Sequence, residues 1–255
     1  MEPERKVALV TGGSTMIGRA ICLALARGGA DVVVNYRTSA DGARSCVADI
    51  EALGRSALAY QADINDPAAV DGMVSAAVAR LGGLHILVNA AGVVAPKKKV
   101  SEWTVANWDE IVNTTLRSAF FTTQRALPQM EKAGWGRIVF ISTTATKLAN
   151  DFRVPYIAAK GGVEAMTRAL AIELAPCGIT VNAVAPPVVP VERNRTRWDF
   201  YEKYLVPYIP AGRMARPEDI AEAVAFFGLS ASAYVTGQIL TVDGGWSSRP
   251  AYPLE

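Results

Sequence analysis

Tyr156 and Lys160 stand four residues apart in the run PYIAAKGG, a spacing that puts a phenol and an ammonium on one face of a helix. A free phenol titrates near pH ~10 and exchanges protons poorly at neutrality. Acid/base work therefore requires stabilising the phenolate, at roughly 1.4 kcal/mol for each pH unit. A cation beside it supplies that bias. The same pair on a bare helix is an ordinary solvated surface, so the reading depends on what the rest of the chain brings to it.

What it brings begins at the other end. Lys6 to Thr11 (KVALVT) is a short continuous apolar run, the pattern of a strand buried on both faces, and it leads into the turn TGGSTMIG and an apolar-periodic segment, Ile17 to Arg27. Strand, glycine turn and helix together make a phosphate cradle. A helix N-terminus offers unpaired N–H groups and the positive end of its dipole, provided the backbone lets a pyrophosphate come close. Gly12, Gly13 and Gly18 permit that approach. The pattern favours a dinucleotide.

Six further strand candidates follow: 30–36, 56–61, 84–89, 137–142, 179–184 and 238–242. Seven strands alternating with six helices predict an α/β fold, a doubly wound parallel sheet with helices on both faces, whose ligands collect at the carboxyl ends of the strands. At 255 residues and 51% apolar, the chain reads as one dinucleotide-binding and catalytic domain over residues 1–255. The segment 185–216, proline-rich and aromatic, reads as a long irregular loop whose residues 186–216 form a substrate lid.

Several classes drop out. No apolar run approaches the ~20 residues of a membrane span, and MEPERKV lacks the hydrophobic stretch of a signal peptide. The expectation is a cytoplasmic protein with no membrane partner. Cys22, Cys46 and Cys177 have no ligand-like spacing and His85 is the sole histidine, so no metal site is expected and the thiols read as structural. A net charge of +2, without a basic helix or an aromatic RNA-reading motif, gives no reason to expect nucleic acid. His85, Trp103 and Trp108 are better explained by packing or helix entry than by chemistry.

These residues resemble the short-chain dehydrogenases/reductases, the compact kind that includes 3-oxoacyl thioester reductases and glucose dehydrogenases. The resemblance rests on TGGSTMIG, Asp63 after the third strand, NAAG at Asn89 to Gly92, YIAAK at Tyr156 to Lys160, VNAVAP at Val181 to Pro186 and VTGQILTVDGG near the end, and it covers nearly the whole chain. It implies a Rossmann-like sheet of seven parallel strands, hydride transfer between a nicotinamide dinucleotide and a small carbonyl or alcohol substrate, and a homotetramer, with a hetero-oligomer open. Tyr156 would exchange the proton, Lys160 would lower its pKa and bind the nicotinamide ribose, and Thr143 would hold the place of the family's catalytic serine. Cofactor contacts are implied for Gly12, Ser14, Thr15, Met16, Ile17, Gly18, Tyr36, Arg37, Asp63, Ile64, Asn89, Ala90, Gly92, Tyr156, Lys160, Pro186 and Val189. Asn35, Tyr36 and Arg37 end the second strand with no acid to grip a ribose, and Arg37 can pair with a 2′-phosphate, so NADP(H) is expected over NAD(H).

The departures from the pattern cluster at the site. Met16 stands where the family has a glycine facing the pyrophosphate. Thr143 is preferred over its neighbours Ser142 and Thr144 because side chains alternate along a strand. The relay asparagine aligns with Thr115, and Asn113 sits two positions early. Pro187 and Val191 replace a glycine and a threonine after VNAVAP. Retention of both Tyr156 and Lys160 favours an NADP(H)-dependent carbonyl reductase or alcohol dehydrogenase, of the ketone or 3-oxoacyl type; the alternatives are an impaired or auxiliary subunit of a hetero-oligomeric dehydrogenase and a non-redox lyase or isomerase. The lid's Arg193, Arg195, Arg197 and aromatic rings suit a large, partly apolar, anionic substrate, or equally a packed lid with solvated arginines; Lys97, Lys98 and Lys99 are likewise ambiguous.

Overall fold

The computed structural model describes residues 5–93, 95–149, 152–190, 192–229 and 234–249, with the backbone alone at 192 and 193. Its strands are β1 (Val7–Thr11), β2 (Asp31–Tyr36), β3 (Ala57–Gln61), β4 (Ile86–Asn89), β5 (Gly136–Ile141), β6 (Ile179–Ala185) and β7 (Ile239–Thr241). All seven pair in parallel in the order β3-β2-β1-β4-β5-β6-β7. The helices are α1 (Met16–Arg27), α2 (Ala40–Ala52), α3 (Pro67–Leu81), α4 (Val105–Val112), α5 (Ser118–Ala133), α6 (Val154–Leu174), α7 (Trp198–Tyr204) and α8 (Pro217–Gly228).

The central strands are apolar throughout because both faces are covered. Ala8 and Val10 of β1, Val32 and Val34 of β2, and Val139 and Ile141 of β5 pack with α1, α2 and α8 through Ile21, Leu25, Ile50, Val224 and Phe227. The alternate residues Val7, Leu9, Val33, Ile138 and Phe140 face α3, α5 and α6 through Met73, Met130, Leu170 and Leu174. A strand with one polar face would expose it to one of these helix layers.

Two elements differ from the sequence expectation. The connection from β4 to β5 is not one regular helix: α4 and α5 are joined by a π-helical turn, Asn113–Arg117, which inserts a residue into the helical repeat. The segment 185–216 is not irregular, since it contains 3₁₀ turns at Glu192–Arg197 and Val206–Tyr208 around α7. Apolar rings at short spacing gave it helical packing partners: Phe200 and Tyr204 lie 5.0 Å apart.

The strand order reverses between β1 and β4, and a crevice opens there past the carboxyl ends of the strands. Two polar side chains hold its rims. Buried Asn35, in β2, accepts the Gly12 N–H through Oδ1 at 3.2 Å and donates through Nδ2 to the Ala62 carbonyl at 3.1 Å and the Tyr60 carbonyl at 3.4 Å. Thr11 Oγ1 accepts the N–H groups of Ala90 and Ala91, each at 3.1 Å. The turns after β1 and β4 are thereby tied to the sheet and to each other. His85 is a sheet contact of the same kind, its Nδ1 accepting the Val7 N–H at 3.1 Å. Burial lowers its pKa, in keeping with a neutral ring that must accept.

Replacing Asn35 by Ala strands one amide and two carbonyls in a dry interior, so Asn35→Ala is expected to cost about 2–4 kcal/mol of stability. Urea denaturation of the two proteins checks this; a cost under 1 kcal/mol would mean the strand ends hold without the side chain.

Candidate active site

A single cavity of about 710 Å³ occupies the crevice. One end is the glycine turn. Gly12 has φ +67°, and a Cβ there would lie 3.1 Å from Ala91 Cα; a Cβ on Gly18 would lie 2.1 Å from the Gly12 carbonyl oxygen. Both positions exclude a side chain, which leaves bare backbone at the start of α1. Met16 does the opposite. It has φ +52°, the left-handed conformation a glycine adopts freely, at a cost of about 1–3 kcal/mol. Its side chain is half-buried and leans on the α1 face of the core, and it borders the cavity.

The turn's neighbours finish this end. Thr15, Ile17, Arg37, Asp63, Ile64, Ala90 and Gly92 line the cavity. Arg37 Nη1 stands 3.9 Å from Asp63 Oδ2, both largely in solvent, so the pair is weak and open to competition. These residues fit an adenine dinucleotide: the cradle is backbone, the wall beside Ile64 is apolar, and a cation stands past the end of β2.

The other end gathers Thr143, Tyr156, Lys160, Pro186 and Val189. Tyr156 and Lys160 share a face of α6, the Lys160 Nζ lying 6.0 Å from the phenol ring centroid. Lys160 is buried, and its Nζ donates to the Ile141 carbonyl at 2.5 Å. Desolvation lowers its pKa to about 8. Thr143 Oγ1 accepts the Ala145 N–H at 3.3 Å, which leaves its O–H free to donate into the cavity. Ser142 is differently employed, giving its hydroxyl to Glu164 Oε1 at 2.7 Å, an oxygen it shares with Thr146. The alternation argument for choosing between them does not hold. β5 ends at Ile141, and both Ser142 and Thr143 border the cavity. Hydrogen bonding distinguishes them instead.

Four expected site residues do not line the cavity. Ser14 is buried beneath the turn, Tyr36 packs against the core under α1 and α2, and Asn89 is buried with its Nδ2 lacking a partner. Thr115 is the fourth: its Oγ1 is buried without a hydrogen bond, and Thr114 borders the cavity in its place, accepting from Asn65 Nδ2 at 3.0 Å. The inserted residue of the π turn rotates the helix face, which a regular 3.6-residue repeat does not anticipate. Val191 lies outside the described residues, as does the side chain of Arg193. Sequence reasoning passed over Arg153, Asn194 and Trp246, which border the cavity. Arg153 carried a usable signal, standing three residues before Tyr156; Trp246 carried none, since the turn after β7 brings it there.

Of the lysine run only Lys97 faces the cavity; Lys98 is bound to Asn107 Oδ1 at 2.7 Å and lies over Trp103. In the lid, Arg197 lies 5.6 Å from the ring centres of both Phe200 and Tyr201. Asn194 bridges the Val189 carbonyl and the Trp198 indole N–H. Cys22 and Cys46 are buried free thiols in the α1 and α2 packing, and Cys177 is an exposed one. No helix among the described residues is long and apolar enough to cross a membrane.

Comparison with known proteins agrees with this arrangement. A family model described as enoyl-(acyl carrier protein) reductase matches residues 13–247. The 3-oxoacyl-(acyl-carrier-protein) reductase FabG of Staphylococcus aureus is 37% identical over 240 residues, covering 94% of this chain and 97% of that protein. The (2S)-((R)-hydroxy(phenyl)methyl)succinyl-CoA dehydrogenase subunit BbsD of Thauera aromatica is 39% identical over 250 residues, covering 96% and 97%. Among solved structures, a short-chain type dehydrogenase/reductase from Mycobacterium marinum superposes with a TM-score of 0.87 at 33% identity, covering 94% of this chain and 95% of that one. With its sheet order, its glycine turn and its Tyr156/Lys160 pair, the chain belongs to the short-chain dehydrogenase/reductase family of NAD(P)-dependent oxidoreductases.

Proposed function

We propose that the protein is an NADP(H)-preferring reductase of ketone or 3-oxoacyl-type substrates. The observation that carries the reading is that Tyr156, Lys160 and a free Thr143 hydroxyl border the same cavity as the glycine cradle and Arg37. When bound, the nicotinamide supplies the hydride. Backbone at Gly12 and Gly18 would take the pyrophosphate, and Asp63 and Ile64 the adenosine end.

The residues of this chain do the remaining work. Thr143 donates a hydrogen bond that orients the substrate carbonyl oxygen. Tyr156 gives its phenolic proton to that oxygen as negative charge builds on it, or removes it in the reverse direction. Lys160, a cation in a dry site, favours the phenolate that remains, and the low dielectric makes its field count for more than it would in water. Its one bond to Ile141 leaves two donors for other acceptors. FabG is a 3-oxoacyl-(acyl-carrier-protein) reductase and BbsD a subunit of a (2S)-((R)-hydroxy(phenyl)methyl)succinyl-CoA dehydrogenase, which supports an oxoacyl substrate here. We also read the protein as a homotetramer, a reading supported by the exposed apolar residues Phe226 of α8 and Leu240 of β7.

Tyr156→Phe keeps the ring and removes the proton. It is expected to lower kcat for NADPH-dependent carbonyl reduction by at least a thousandfold with little change in Tm; turnover within tenfold of the parent would overturn the mechanism. For the cofactor, Arg37→Gln is expected to weaken NADPH binding about tenfold and NADH binding less than twofold, on the scale of one charge-assisted hydrogen bond. Fluorescence titration reads both, and a parent protein that binds NADH more tightly would reverse the assignment.

Lys160 makes a prediction about stability. The native ammonium releases its proton near pH 8, and a lysine in the unfolded chain near ~10.4. Below pH 8 both states hold the proton and the burial penalty stands in full, on the order of 3 kcal/mol before hydrogen bonding is counted. Between the two values the unfolded chain holds the extra proton, so stability rises with pH. Lys160→Met is therefore expected to be inactive yet about 1–3 kcal/mol more stable than the parent at pH 7, with the gap closing towards pH 10. Denaturant midpoints across that range test it; a variant less stable than the parent at pH 7 would show that the Ile141 bond outweighs desolvation.

A further inference from the structure

We propose that the substrate end of the cavity is an oxyanion subsite, in which Arg153, with Arg197 and Lys97, binds a carboxylate or phosphoryl group carried by the carbonyl substrate close to its reacting carbon. The inference rests on the reductase reading of the same site and names the substrate class within it.

Charge balance is the first argument. Among the described residues that line the cavity, the cations are Arg37, Lys97, Arg153, Lys160 and Arg197, and the one carboxylate is Asp63. Asp63 stands beside Arg37 at the adenosine end, and Lys160 is bound to the Ile141 carbonyl. The Lys98 N–H donates to the Phe152 carbonyl at 2.9 Å, which sets the Lys97 loop beside Arg153; with Arg197 of the lid, three cations line the cavity with no acid among the described lining residues left to neutralise them. A concave surface of one sign concentrates ligands of the other.

Arg153 is the second argument. Its Nε is buried and has no hydrogen-bond partner, and no hydrogen bond or ion pair with another described residue engages its guanidinium. Two other arginines share the orphaned Nε, but each uses a different nitrogen: Arg55 pairs with Asp31 at 3.0 Å, and Arg137 donates to the Gly136 carbonyl at 2.8 Å. Leaving a buried donor unmet costs about 1–3 kcal/mol, and more for a charged group. A planar fork of donors facing a cavity is made for a planar or tetrahedral oxyanion, which would recover that cost on binding.

Position supplies the third argument. Arg153 is the N-cap of α6, three residues before Tyr156, and both side chains border the same cavity. The anionic group and the carbonyl that meets the phenol are then separated by a few bonds, as in a short oxo acid or an oxo phosphate. In the lid, Arg197 also lines the cavity and lies 5.6 Å from the ring centres of Phe200 and Tyr201. Stacking of this kind holds a guanidinium flat and keeps its N–H edge available. Lys97 is exposed on the loop after β4, where it adds charge at the mouth.

The test reads binding, so that it does not depend on turnover. NADPH-loaded Tyr156→Phe protein is titrated calorimetrically with acetoacetate, with its neutral methyl ester and with inorganic phosphate, with and without Arg153→Gln. Acetoacetate or phosphate should bind at least tenfold more tightly than the ester, and Arg153→Gln should reduce that preference at least tenfold. Arg153→Lys should restore part of it, and Arg197→Gln should weaken it to a smaller degree. Tighter binding of acetoacetate than of phosphate assigns a carboxylate, and the reverse assigns a phosphoryl group. Equal affinity for acid and ester with phosphate no tighter, or a preference that survives Arg153→Gln, overturns the proposal. Thermal unfolding of Arg153→Gln guards against a folding defect, and a melting temperature close to the parent's is expected because no protein bond is lost. Failure of the reductase reading would appear separately, as undiminished turnover in Tyr156→Phe.

Discussion

A lysine ammonium with almost no access to water, held to one backbone carbonyl, is the constraint around which this molecule is arranged. Lys160 Nζ reaches the Ile141 oxygen at 2.5 Å because β5 ends there and α6 packs beside it, against β6 and the turn Thr144–Thr146. That contact fixes how closely the helix lies against the sheet. It also decides where the phenol of Tyr156 stands, since the two side chains share one face of α6. A solvated lysine would bring much less field to the phenol, because water would screen it. The field the cation brings to the phenol and its cost to stability have the same origin.

The dinucleotide end of the cavity is organised on a different principle. Asn35 and Thr11 each satisfy backbone groups of a neighbouring turn, and the glycines let those turns touch. Here rigidity comes from small polar contacts between side chains and the backbone of the turns. Met16 strains against this background, in a conformation that costs a non-glycine residue free energy. The surrounding contacts hold it in place.

The sheet could be read from the sequence because strands buried on both faces leave uninterrupted apolar runs, as in Val7 to Val10 and Ile138 to Ile141. The Tyr156/Lys160 pair and the glycine turn were legible for a related reason: their chemistry depends on local spacing along one helix or one turn. Thr115 stands away from the cavity, with Thr114 lining it, because a π turn shifts a helix face by one position, and no residue in NTTLRS announces it. The expectation for 185–216 failed through its prolines and arginines, which suggest a loop, whereas the rings of Phe200 and Tyr204 pack against each other once the helix forms. Trp246 reaches the cavity only through tertiary structure, and a lone tryptophan near the end of a chain gives no hint of it. Arg153 was overlooked for lack of burial information, since its interest lies in a nitrogen with no partner rather than in its residue type.

The cavity is built from well-separated stretches of polypeptide: the glycine turn lies in the first half of the chain, and the helical cover with its stacked arginine is inserted between β6 and β7. Few of the covering residues are buried in the core beneath them. Side chains of that insert can therefore change with little disturbance to the sheet and the glycine turn, because the packing that holds those elements together lies elsewhere.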